Sequence, residues 1–196
     1  MAAARTAPST GLEDPVIEIL ARLWQTKVRS VEWLEEWQRR AIDRDIKAGI
    51  KLQINDERRH QRILGDEIKR RRGRHGAVVV DQILNKPFAI VKMQTDDTAR
   101  ALAYFNGIKR FTTVRCARLV PMVDGAFGHI LQQISQDEER HLRWADIRLE
   151  RTLTPVLARQ YEPMLKLMEQ AMDALWSKPL RRLAQYHIDI GRARAN

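Results

Sequence analysis

Two five-residue strings constrain this chain most: Asp56-Glu57-Arg58-Arg59-His60 and Asp137-Glu138-Glu139-Arg140-His141. Both read D-E-x-x-H. Each lies in the middle of an apolar stripe with helical spacing. The first stripe is Ile50, Ile54, Glu57, His60, Leu64 and Ile68; the second is Phe127, Ile134, Glu138, His141, Ala145 and Leu149. Residues three and four apart share one face of a helix. A carboxylate and an imidazole therefore sit where a helix presents its core side. Burying an unpaired carboxylate costs several kcal/mol or forces it to protonate. Two Glu and two His meeting in one core demand compensation, and a cation supplies it. Chance places about 0.3 Glu-x-x-His pairs in a chain with this Glu and His content, so two such pairs, each preceded by Asp, are a signal.

The rest of the sequence supports an all-α chain. No proline occurs between Pro15 and Pro87 or between Pro87 and Pro121. The apolar runs Val78-Val79-Val80 and Phe88-Ala89-Ile90-Val91 are too short to build a sheet. A first helix is expected over 13–40, opened by Glu13, Asp14 and Pro15, with the stripe Ile17, Leu20, Trp24, Val28, Val31 and Leu34. After a break at 41–45 a second helix runs to Arg72, where Lys69–Arg72 meet the negative end of the helix dipole. Residues 73–95 read as an irregular crossover with a short helix near 79–84. A third helix, capped by Asp96 or Asp97, runs to Val120, and Pro121 and Gly125 make the next turn. A fourth covers 126–152. Thr154-Pro155 restarts the chain, with a bend or break at Pro163, an end near Trp176 and a last short helix opened by Ser177 and Pro179. The domain plan is a disordered arm at 1–12, a four-helix unit over 13–152, C-terminal helices over 153–190 and a tail at 191–196.

With 196 residues, 44% hydrophobic and 31% charged, the chain suits one globular unit rather than a disordered one. The single cysteine, Cys116, excludes an internal disulfide framework and fits a reducing, cytoplasmic setting. No apolar stretch reaches membrane-spanning length and no secretory signal is visible. The net charge of +10 is spread over both halves, which admits an acidic protein partner but matches no nucleic-acid motif. Glycine-rich phosphate loops, paired CxxC motifs and nucleophile elbows are missing.

Two helical hairpins joined by a long crossover, each carrying Glu-x-x-His on its second helix, resemble the ferritin-like carboxylate di-iron superfamily, and its rubrerythrin-like members in particular. The resemblance covers residues 15–152. It implies an antiparallel four-helix bundle with Glu57, His60, Glu138 and His141 as metal ligands and catalytic residues around two iron or manganese ions. It also implies that Asp56 and Asp137 each hold the His of the opposite motif. In that family the other two helices each supply one more Glu, about 30–35 residues earlier.

Those windows, 22–27 and 103–108, contain no Asp or Glu. Gln25 and Asn106 stand 32 residues before Glu57 and Glu138, so the bridging carboxylates read as amides. Trp24 and Phe105 beside them point inward by periodicity and fill volume near the site, as does Tyr104. Neutral amides weaken a dinuclear site. Three readings follow. One is a di-metal oxidoreductase acting on dioxygen, peroxide or a small organic substrate. The second is a bundle with one metal or an altered metal site. The third is a bundle without catalysis, serving as a protein-binding or assembly subunit. The first is the leading expectation, with an acidic protein or an electron donor as the expected partner.

Elsewhere, Cys116 reads as a buried structural thiol and His129 as an outer candidate ligand. His75 reads as exposed and His187 as a packing residue. Met164, Met168 and Met172 form a stripe expected in the core or at a dimer contact. Trp33 and Trp37 read as a lateral apolar surface for a homodimer.

Overall fold

A computed structural model describes residues 15–72, 82–123 and 125–195, without the side chains of 187–195. The expected arm, His75, the Val78–Val80 run and the side chain of His187 lie outside the described residues. The described chain is all-helical, with no strand. Helix α1 (Pro15–Arg40) and helix α2 (Arg44–Arg72) form a hairpin packed along their length. Asp43 opens α2 by accepting from the Asp45 and Ile46 amides at 2.7 and 3.1 Å, which satisfies donors the helix leaves orphaned. At the other end, Arg70 and Arg71 both hold Glu67.

The crossover is more helical than the sequence reading had it. A 3-10 turn (Gln82–Leu84) leads into helix α3 (Asn85–Lys92). Pro87 falls in its first turn, where a missing amide costs nothing. The Phe88–Val91 run is therefore helical, with Phe88 and Val91 buried.

The second hairpin begins as expected: Asp96 caps helix α4 (Asp97–Ala101) by accepting from the Ala99 amide at 2.8 Å. The chain then changes pitch. Residues Leu102–Lys109 form a π-helical stretch before helix α5 (Arg110–Leu119) resumes. Such stretches are rare and cluster at functional positions. The turn at Pro121 leads into helix α6 (Gly125–Thr152), which packs on α5, the π stretch and α2.

Helix α7 (Pro155–Ala195) corrects the expected break at Pro163 and the expected restart at 177–179. It runs through both prolines as one helix. Its Met168 and Met172 are buried core residues packed against the second hairpin and α1. Gly107 makes this approach possible: a Cβ there would lie 2.3 Å from Met168 Cγ.

Trp33 and Trp37 are almost wholly buried and stack on each other with centroids 6.1 Å apart, so they are core and not a lateral surface. The buried face of α1 is also rotated from the apolar stripe expected there. Ile17, Leu20 and Leu34 are buried as expected, but Trp24, Val28 and Val31 are half-buried, and the helix instead buries Leu23, Thr26, Lys27, Ser30 and Trp33. The face includes polar residues, so a search for apolar periodicity misplaced it. Among the described residues no helix is long and apolar enough to cross a membrane.

Candidate functional site

On α2 and α6 the stripes expected from the sequence are the buried faces. Ile50, Ile54, Glu57, His60, Leu64 and Ile68 are all buried on α2, and Phe127, Ile134, Glu138, His141, Ala145 and Leu149 on α6. Packing α2 against α6 brings the two pentads together. His60 Nε2 lies 2.8 Å from Asp137 Oδ2, and His141 Nε2 lies 2.9 Å from Asp56 Oδ2. Each Asp thus holds the His of the other motif. With a carboxylate at Nε2, each ring turns its Nδ1 edge toward the glutamates.

The fourth residue of each pentad completes a ring of charge. Arg59 contacts Asp56 at 2.8 Å and also bonds Asp137. Arg140 contacts Asp137 at 2.6 Å and Asp56 at 3.4 Å. Burial alone would raise the Asp137 pKa; His60, Arg59 and Arg140 together hold it below the usual carboxylate value.

The centre is not what the amide reading anticipates. Two lysines reach it. Lys27, from α1, bonds Glu138 Oε1 and lies 3.2 Å from Glu57 Oε2. Lys109, the last residue of the π stretch, bonds Glu57 Oε1 and reaches Glu138 Oε2 at 2.6 Å and His141 Nδ1 at 3.1 Å. Both ammoniums and both carboxylates are almost completely shielded from water. Burial opposes every one of these charges, yet the opposite charges outweigh it. Glu57 and Glu138 are held well below the usual carboxylate range by Lys109 and Lys27. Lys27 and Lys109 are held above the ordinary amine value by the two glutamates. Two positive and two negative charges close the core electrically.

The two halves of this cluster are related but unequal. Lys27 stands 30 residues before Glu57, and Lys109 stands 29 before Glu138. Yet only Lys109 meets an imidazole. On the other side His60 Nδ1 has no hydrogen-bond partner among the described residues, and Glu57 Oε2 lies 3.7 Å from it.

The remaining candidates fall around this core. Gln25 is buried, but Lys27, two residues on, is the α1 side chain that bonds Glu138. Asn106 is half-buried, and its Oδ1 lies 3.5 Å from exposed Arg110. Phe105 packs among Tyr104, Trp37 and Trp144. Trp24 instead lines an open groove with Arg58, Gln61, Arg62, Gly65 and Asp66. Tyr104 is fully buried with its ring 5.6 Å from Lys109 Nζ; burial and the two glutamates keep its phenol protonated, well above its usual value. Cys116 is a buried free thiol, and burial pushes its pKa up to about 12, so it is no nucleophile. His129 is exposed and corrects the outer-ligand expectation.

Chemically, Glu57, Glu138 and His141 form a buried group whose donor atoms lie within 4.8 Å of one another, and such a group could hold one metal ion. Lys109 Nζ contacts the same three side chains. A pair of ions fits poorly: two glutamates supply two negative charges, and two ammoniums already balance them. The sequence reading missed both lysines and both arginines. The signal was present as a shared Arg in the fourth pentad position and a Lys at nearly the same offset in each hairpin. No family model, no curated protein and no solved structure matches the chain.

Proposed function

We propose that this chain is a ferritin-like helical bundle that works without metal and without catalysis, as a protein-binding or assembly subunit. The observation that carries this reading is the pair of ammonium groups, Lys27 and Lys109, between Glu57 and Glu138. They provide the compensation that a metal pair provides in the resembled family. Glu57, His60, Tyr104 and Phe105 are also fully shielded, which denies a substrate access to the cluster. Function then falls to the surface. Its net charge of +10 favours an acidic protein partner, and Ile42, Leu52, Met93 and Val156 are exposed large apolar side chains.

The test is metal content. Purified protein is incubated anaerobically with iron(II) or manganese(II), desalted and subjected to elemental analysis. The expected result is no stoichiometric metal and the same melting temperature with or without chelator. About two irons per chain, with visible absorption after exposure to air, would overturn the reading in favour of the oxidoreductase.

A second reading, a mononuclear metal site, is favoured by the Glu57, Glu138 and His141 group. It requires Lys109 to withdraw. Uptake of about one ion by wild-type protein would support it.

A further inference from the structure

We infer that Lys109 is a built-in cation standing at a one-metal position, and that this single residue keeps divalent transition metals out of the core. The inference rests on the metal-free reading above and sharpens it to one side chain. Three observations carry it. First, the Lys109 ammonium touches Glu57, Glu138 and His141, the same three groups that could hold a metal ion. Second, the His141 ring is set as a metal-binding imidazole is set: Asp56 accepts at Nε2, and the Nδ1 lone pair faces the cation. Third, two carboxylates and one imidazole offer the oxygen and nitrogen donors that zinc and cobalt(II) accept.

The ammonium excludes the ion by occupying its place. A tetrahedral zinc ion with bonds of about 2.1 Å needs its donors about 3.4 Å apart. The three donors here lie within 4.8 Å of one another, with His141 Nδ1 and Glu138 Oε2 3.3 Å apart, and the Lys109 ammonium already stands in their midst. An ion and Lys109 Nζ cannot share that space. Removing the ammonium frees the donors and leaves the core with two carboxylates against Lys27 alone, a net negative charge that one divalent ion offsets. A second ion would be repelled.

The position belongs to Lys109 and not to Lys27. Lys27 contacts the two carboxylates but no imidazole. The unpartnered His60 Nδ1 on that side faces only Glu57 Oε2, at 3.7 Å. Taking away Lys27 therefore exposes a weaker donor set.

The experiment compares wild type, Lys109→Ala, Lys27→Ala and Lys109→Ala with His141→Ala. Each is titrated with zinc(II) and cobalt(II) and read by elemental analysis and the visible cobalt spectrum. The expected result is no ion in wild type and about one in Lys109→Ala, with a four- or five-coordinate cobalt band. Binding in Lys27→Ala and in the double variant is expected to be weaker by tenfold or more (on the order of 1.4 kcal/mol). If Lys109→Ala is unfolded alone, it is refolded with and without zinc(II): rescue by the ion supports the inference, and no rescue overturns it. A folded Lys109→Ala that takes no metal overturns the inference while leaving the metal-free reading intact. Equal uptake by Lys27→Ala overturns the assignment to Lys109. Uptake by wild type overturns the metal-free reading itself.

Discussion

The Lys109 side and the Lys27 side of the buried cluster are built from the same parts and do not do the same thing. Both have a D-E-x-R-H pentad, a crossed Asp–His pair and a lysine from the preceding helical segment. On one side the lysine bridges both glutamates and His141. On the other it touches the glutamates only, and His60 Nδ1 is left without a partner. The backbone offers a reason. Lys109 ends a π-helical stretch, whereas Lys27 lies in a regular α-helix. A π turn advances the chain by an extra residue and re-aims the side chains that follow it. Equivalent sequence positions therefore need not yield equivalent electrostatics.

The largest expected effect concerns the glutamates, which both sides share. Glu57→Ala or Glu138→Ala strands buried ammonium charge and should cost about 3–5 kcal/mol in urea unfolding. Replacing all four charges at once, with Lys27→Met, Glu57→Leu, Lys109→Met and Glu138→Leu, should be close to neutral or stabilising by about 1–4 kcal/mol. If that variant is much less stable than wild type, the ion pairs contribute more than charge neutralisation.

Next come the close approaches that dock the hairpins. A Cβ at Gly49 would lie 2.5 Å from the Trp144 ring, and one at Gly107 lies as near to Met168. Gly49→Ala is expected to lower stability by about 1–3 kcal/mol, because an indole ring cannot yield by bending. Gly107→Ala should cost less, since a methionine stem can rotate. Thermal melts of the two variants decide the order.

The crossed aspartates give a smaller contrast. Each aspartate holds one histidine, Arg59 and Arg140, but Asp137 is more deeply buried than Asp56. Asp137→Asn should cost about 1.5–3 kcal/mol and Asp56→Asn about half that. Equal costs would show that the halves are closer to symmetric than the difference in burial indicates.

The smallest effect is a plateau. Glu57 and Glu138 have lowered pKa values when folded, so their contribution is present above the unfolded value of 4.5 and is lost as pH falls. Lys27 and Lys109 have raised values, so theirs is present below 10.5 and is lost as pH rises through the folded values. Between about pH 5 and pH 10 the cluster should add no pH dependence to unfolding. A steep slope near neutrality that survives replacement of His60 and His141 would contradict this charge assignment.

Much of this was legible in the sequence. The α2 and α6 stripes follow from three- and four-residue periodicity and the Asp96 cap from helix-start chemistry, while the crossed Asp–His pairing is what the resemblance to di-iron carboxylate proteins implies. Local rules sufficed for the stripes and the cap because each depends on one helix. The α1 face was misread because it buries Thr26, Lys27 and Ser30, and apolar periodicity does not register polar residues that are paired in the interior. Helix α7 was wrongly broken because each proline removes one amide, a loss that packing against the rest of the bundle outweighs.

By itself, the sequence determined that two glutamates and two histidines would meet in a helical core and that something positive had to meet them. Only the tertiary structure decided what that was. Counting residues along a hairpin compares backbone heights, and by that count Gln25 and Asn106 stand opposite the glutamates. A lysine carries its charge on a stem long enough to span about one helical turn. Lys27 and Lys109 could therefore reach the centre from neighbouring positions, and three-dimensional reach, not sequence offset, fixed the identity of the counter-charge.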